Sequence, residues 1–213
     1  MSWAINAGNK KIRLITDWAN PTACYSNPNS EKVPTLISYN NGDTKKWGFD
    51  AAMVEQPSLR WFKILLEPGH KYVKTVQEVA DANKMLEDMK KSPQDVAADY
   101  LRMLWKYTQE DIRKHKLSEG NDQATKVVIT VPAMWSETAK LRTKRAAETA
   151  GLPNKVSLVS EPEAAALAVF RDRLDKGDTL EVRTDLVFEK NSVQTLSRKM
   201  TSSLFAMLVE GLW

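Results

Sequence analysis

Few side chains in this chain of 213 residues are placed for chemistry. Lys63 is the first, within R-W-F-K-I-L-L at Arg60–Leu66. A single ammonium on a mostly apolar segment can stabilise charge that develops in phosphoryl transfer. The same pattern also suits a lysine that snorkels beside buried neighbours. Glu161 opens a helical run, where its carboxylate complements the helix dipole. Pro132 reads as a strand-ending proline. The other reactive residue types form no constellation. His70 and His115 are far apart, neither lies in a metal or triad pattern, and both are expected in solvent. Cys24 is the single cysteine, which excludes an internal disulfide and a multi-cysteine zinc site and fits a reducing compartment. No metal-ligating residue is assigned.

The elements that must position these residues centre on Lys126–Phe170. Val127–Val131 is a short β-branched run, the pattern of a buried strand, and Pro132 stops it. Ser136 can cap a helix with Glu137 in its first turn. That helix is expected to reach Ala150, with Gly151 in a left-handed C-terminal cap. Val156–Val159 is a second strand. Ser160 can cap the next helix, with Glu161 and Pro162 in its first turn and Ala164–Ala168 continuing it. Two strand-to-helix passages in succession indicate an α/β chain.

This passage resembles the nucleotide-binding domain of the heat-shock protein 70 family. V-P-A at Val131–Ala133, T-K at Thr143–Lys144, A-G-L at Ala150–Leu152 and E-P-E-A-A-A at Glu161–Ala166 fall at the family's spacing. The resemblance is closest to a divergent, fungal-type branch, and covers residues 1–182. It implies an actin-like ATPase (ribonuclease H-like) fold, here an incomplete first lobe with a mixed sheet and packed helices. It implies ATP and magnesium as cofactors and an adenine nucleotide as partner. By resemblance, Lys63 is the lysine aimed at the γ-phosphate. Glu161 is the glutamate that helps organise magnesium and the attacking water. Pro132 is the proline that relays nucleotide state to a peptide-binding domain, although a strand-ending role suffices for it here. No residue is assigned to adenosine binding.

Composition agrees with a globular chain, with 42% apolar and 27% charged residues. The net charge of +4 is too mild to imply nucleic acid without a clustered patch. The basic residues Lys140, Arg142, Lys144 and Arg145 read as a solvated helix face. No apolar run approaches the length of a membrane span, and no signal-peptide core follows Lys10 and Lys11. A cytoplasmic home is the expectation, with no nucleic-acid or membrane partner. Along the chain, Lys11–Ile15 is an expected strand and residues 19–30 a loop. Val33–Ser38 and Lys45–Phe49 are expected to pair as a hairpin around Asn40-Asn41-Gly42-Asp43. Ala51–Val54 starts a short helix. Tyr72–Lys91 is helical, with Val76, Val79, Met85, Leu86 and Met89 near one face. Ser92-Pro93-Gln94-Asp95 starts a helix that runs to about Lys116 on a stripe of Val96, Tyr100, Met103, Leu104 and Tyr107.

The resemblance also implies parts that these residues do not supply. Actin-like ATPases hold the triphosphate between two glycine-bearing loops, because backbone N–H groups approach phosphates closely only where glycine allows it. The first loop should precede Ser2-Trp3-Ala4, so that it and much of its strand are expected to be missing. The second should follow Thr179–Val182, where the chain reads Arg183-Thr184-Asp185-Leu186. The eight glycines never occur as G-G or G-x-G. The tail at 183–213 is expected to be divergent and poorly ordered. Its end, F-A-M-L-V-E-G-L-W at Phe205–Trp213, can be encoded by a DNA string that reads Cys-Asp-Ala-Gly-Gly-Gly-Thr-Val two nucleotides later. That is the family's second phosphate loop, so mis-spliced sequence from Arg183 to about Thr201, followed by a frame change, is the expected origin. The expected function is therefore a fragment of a chaperone-type, ATP-binding ATPase, inactive as it stands for want of both loops and the second lobe. An uncovered sheet edge is a further expectation. The alternative is a non-catalytic protein-interaction module on the same fold, using the aromatic-rich N-terminal hairpin region. A sugar kinase of the same superfold would need the same loops.

Overall fold

The computed structural model describes residues 2–4, 12–18, 32–40, 44–53, 58–67, 69, 75–115, 126–153, 156–175 and 205–207. The architecture is mixed α/β, with small sheets. Strand β1 (Ser2–Ala4) pairs antiparallel with β2 (Ile12–Leu14). Strand β3 (Ile37–Asn40) pairs antiparallel with β4 (Thr44–Trp47), Ile37 facing Trp47 and Asn40 facing Thr44. The hairpin is as expected, but its strands are displaced. Pro34 deprives the 33–36 segment of a ladder donor, and β3 starts only at Ile37. The second strand ends at Trp47, because Gly48 takes a positive φ of 59° and opens helix α1 (Gly48–Ala52). A Cβ at Gly48 would stand 2.6 Å from Val33 Cγ2, so this turn requires glycine on two counts.

Helix α2 (Gln77–Asp88) buries Val79, Ala82 and Leu86, with Val76, Met85 and Met89 packed at the margin. It ends earlier than Lys91. Lys90 takes a positive φ of 51°, and the Lys90 and Lys91 N–H groups donate to Glu87 and Leu86 carbonyls. That is a Schellman closure with lysine in the place usually held by glycine. Helix α3 (Pro93–His115) starts at the expected capping box. The Ser92 N–H and hydroxyl donate to Asp95 Oδ2 at 2.9 and 2.6 Å, and the Asp95 N–H donates back to Ser92 Oγ at 3.1 Å. These bonds hold the Asp95 carboxyl below its ordinary range. The stripe of α3 is broader than expected, since Ala97, Leu101 and Trp105 are buried with Val96, Tyr100 and Leu104.

Strand β5 (Val127–Val131) is central. It pairs parallel with β6 (Val156–Ser160) on one side and parallel with β7 (Phe205–Met207) on the other. Val127, Ile129 and Val131 are buried, and so is Thr130, so the strand is covered on both faces. Within the tail, β7 is the part among the described residues, and it takes the sheet edge that was expected to be open. Between β5 and β6 runs helix α4 (Glu137–Thr149), whose cap is as expected: Ser136 Oγ accepts from the Ala139 N–H at 3.2 Å. Gly151 has a φ of 81°, and the Gly151 and Leu152 N–H groups donate to Glu148 and Ala147. Helix α5 (Glu161–Asp175) follows β6 without a loop, and Ser160 Oγ accepts from the Glu163 N–H at 3.3 Å. One continuous core joins α2, α3, α4, β5 and the 59–66 segment to the N-terminal hairpin.

Candidate functional site

Parallel strands β5 and β6 end side by side, Val131 facing Ser160. Ligands of α/β sheets bind outside such carboxyl ends. Pro132 follows β5 there, and Glu161 begins α5 directly after β6. Lys63 arrives at the same place from a different part of the chain. Its Nζ lies 3.2 Å from Glu161 Oε1, as a hydrogen-bonded ion pair across 98 residues of sequence. The Lys63 and Glu161 side chains are 24% and 29% exposed, so the pair is accessible from solvent at the rim of the sheet.

The segment that delivers Lys63 is held at several points. Leu59 bridges to Ile37 through two backbone hydrogen bonds of 2.7 and 3.2 Å. Trp61 then takes a φ of 62°, unusual for a bulky side chain. The turn it makes is closed by the Ile64 N–H donating to its carbonyl and leads into a 3-10 helix at Ile64–Leu66. Beyond it, the Glu67 carboxylate accepts from both the Ser136 N–H and the Ser136 hydroxyl, each at 2.8 Å. A carboxylate on the N-terminus of α4 is favoured by both the free N–H groups and the dipole. Arg142 donates to the Leu66 carbonyl at 3.1 Å. Arg142 is thus tied to the 60s segment, and Lys140 pairs with Glu137 at 2.7 Å, while Lys144 and Arg145 are exposed. Two of the four residues expected on a purely solvated basic face therefore have protein partners.

Pro132 joins the pair through an intermediary that sequence reasoning missed. The Trp135 N–H donates to the Pro132 carbonyl at 3.2 Å, closing a turn that buries Trp135. Lys63 Nζ lies 5.8 Å from the centroid of that ring, within cation–π range. The signal available was a tryptophan directly before a capping serine, in W-S-E. The three expected site residues thus converge, Lys63 and Glu161 in contact and Pro132 by way of Trp135. Behind them lies an apolar cavity of about 50 Å³ bordered by Lys63, Leu66, Tyr100, Ile129 and Trp135. Ligand pockets run to roughly 300 Å³ and more, so this cavity is too small to hold a nucleotide.

The remaining candidates stand elsewhere. His115, exposed as expected, is nevertheless engaged: its Nε2 lies 2.7 Å from Arg13 Nη2 and its Nδ1 2.8 Å from the Asp111 carbonyl. His70 and Cys24 lie outside the described residues, as does Thr179–Val182. Trp18 and Trp47 of the N-terminal region pack against Tyr107, with ring centroids at 5.3 and 6.0 Å. Trp18 belongs to the buried core, and Trp47 packs against it. Among the described residues no group of three or more His, Cys, Asp or Glu could hold a metal ion, and no helix is long and apolar enough to cross a membrane. A family model described as Hsp70 protein matches residues 66–187, more than half of the chain and across both strand-to-helix passages.

Proposed function

The chain belongs to the Hsp70 protein family, and from that we propose that these residues form part of the first lobe of a chaperone-type ATPase with an actin-like fold, of the divergent fungal-type branch. In this reading Lys63 faces the γ-phosphate of ATP, and Glu161 stands beside magnesium and the attacking water. Trp135 and the Glu67–Ser136 clamp position Lys63, and Pro132 supplies the turn that carries Trp135. The observation that carries the reading is the 3.2 Å Lys63–Glu161 pair at the carboxyl ends of two parallel strands. An ammonium that is one-quarter exposed can exchange its carboxylate partner for a phosphate oxygen at modest cost.

The donor set fits one rim of a magnesium–nucleotide site. Magnesium takes one or two carboxylates, phosphate oxygens and several waters, and Glu161 supplies one carboxylate. It does not make a phosphate cradle. The eight glycines contain no G-G or G-x-G, and close backbone approach to a triphosphate needs them. The 213-residue polypeptide is therefore proposed to bind ATP weakly or not at all and to have no ATPase turnover. A cytoplasmic location, with no nucleic-acid partner, belongs to the same proposal. A thermal-shift titration with Mg-ATP tests it. The expected outcome is no change in Tm, and a robust increase would overturn the reading. The second reading, a non-catalytic interaction module, draws support from β6 and α5. Every residue of β6 is only partly buried, and Val169 on α5 is 54% exposed.

A further inference from the structure

The turn that follows β5 fixes one side chain in solvent. The Trp135 N–H donates to the Pro132 carbonyl at 3.2 Å, so residues 132–135 form a closed turn. Both ends of it are anchored, since Val131 before it and Trp135 at its close are buried. Between these anchors the backbone turns Met134 outward, and Met134 is 96% exposed. An apolar side chain left in water contributes no burial energy, so packing does not account for methionine at this position. Four other methionines give the comparison. Met53 is 40% exposed, Met103 is half-buried on α3, and Met85 and Met89 pack against the core. A thioether has no proton to lose, so its reaction with peroxides is governed by access to the sulfur rather than by ionisation.

We propose that Met134 is a peroxide-reactive modification site whose oxidation the fold tolerates. A lone pair of the thioether sulfur attacks one oxygen of hydrogen peroxide and the O–O bond breaks. The proton of the transferred oxygen passes to the leaving oxygen, which departs as water. The sulfur gives up two electrons and the peroxide takes them. The sulfoxide so formed is polar, and it disrupts packing where the methionine was buried. At Met134 the new oxygen stays in water and no packed contact is lost, whereas Met85 and Met89 would carry it into the core. A methionine sulfoxide reductase reverses the change with a dithiol, which becomes a disulfide as the oxygen leaves as water. The mark lies on the turn that carries Trp135, the ring beside the Lys63 ammonium. Peroxide access to Met134 requires no bound nucleotide.

Oxidation of the full chain by dilute hydrogen peroxide, followed by tryptic mass mapping, tests the site. Trypsin releases Met134 as the sole methionine of residues 127–140, Met53 in 47–60, Met103 in 103–106, and Met85 with Met89 in 85–90. Fragment spectra separate a sulfoxide at Met134 from oxidation of Trp135. In the folded chain Met134 is expected to react about fivefold or more faster than Met85, Met89 and Met103, with Met53 between them. In guanidinium the rates are expected to converge. A Met134 that reacts no faster than the others in the folded chain, or a lead that persists in guanidinium, overturns the proposal. The species oxidised at Met134 alone is expected to keep its Tm, and the reductase with a dithiol to restore the original mass. A lower Tm for that species, or a sulfoxide that the reductase leaves in place, overturns the tolerated and reversible mark.

Discussion

Lys63 and Glu161 meet at 3.2 Å, yet the pair contributes little to stability. Both side chains are about one-quarter exposed, and such pairs are worth about 1 kcal/mol or less. Lys63→Met is thus expected to change the urea unfolding free energy by no more than about 1 kcal/mol. Trp135 is different, being 8% exposed and packed beneath the ammonium. Trp135→Ala removes a buried aromatic and is expected to cost about 3–5 kcal/mol in the same measurement. Asp99 is the charged residue with most at stake. Its carboxylate accepts from Tyr39 at 3.0 Å, Lys91 at 3.3 Å and Arg102 at 2.7 Å while nearly buried. Arg102 also donates to the Thr149 carbonyl, so the group links β3, α3 and the end of α4. Asp99→Ala leaves those donors without their acceptor and is expected to destabilise by about 3 kcal/mol, as truncation of a buried ion pair does. Lys63 and Glu161 were legible as candidates from their motifs. Asp99 was not, because nothing in A-A-D-Y-L distinguishes a buried acid from a surface one until Tyr39 arrives from β3 and Lys91 from the segment before α3.

Two helices end in the same way with different residues. α4 closes with Gly151 at φ 81°, and α2 closes with Lys90 at φ 51°. Each has the paired bonds of a Schellman motif. A residue with a Cβ in that region costs about 1 kcal/mol relative to glycine. Lys90→Gly is therefore expected to raise stability by about 0.5–1 kcal/mol, and Gly151→Ala to lower it by about 1 kcal/mol. Nothing lies within 4 Å of a Cβ at Gly151, so its cost is purely conformational. Denaturation midpoints at constant m-value check both. The Gly151 closure was readable because glycine marks such positions. The Lys90 closure was not, since lysine is a good helix former and the apolar pattern carries through Met89. The starts of α3, α4 and α5 were all readable, because Ser92, Ser136 and Ser160 act through local bonds to N–H groups three residues on.

At the scale of the molecule, burial of two phenols sets an alkaline limit. Burial, and then the charge of Asp99 and its hydrogen bond, push the Tyr39 phenol far above its ordinary range. Burial alone pushes Tyr100 up. The unfolded chain ionises these phenols near pH 10 and the folded chain does not. Their contribution is therefore fully present below about pH 10 and declines as pH rises further, because the unfolded state then loses protons first. Stability measured between pH 9 and 11 is expected to fall, and Tyr39→Phe to reduce the steepness of that fall. The tail makes a separate prediction. Genomic sequence across residues 183–213 is expected to encode Asp-Ala-Gly-Gly-Gly-Thr in another frame, and its absence there removes the mis-splicing account.

The sequence alone determined the local grammar of this protein: a β-branched strand, a serine-capped helix, a glycine closure, a second strand and E-P-E-A-A-A. It also determined the family, because those short-range features recur at fixed spacing. What it could not supply was adjacency between distant segments. Lys63 reaches Glu161 only because Leu59 bridges β3 and Glu67 caps α4, and these contacts join parts of the chain far apart in sequence. Trp135 becomes the ammonium's neighbour only once Pro132 has turned the chain. The pairing of Phe205–Met207 with β5 is likewise a tertiary decision. A three-residue strand has too little local preference to announce itself, and its place is chosen by the edge it covers.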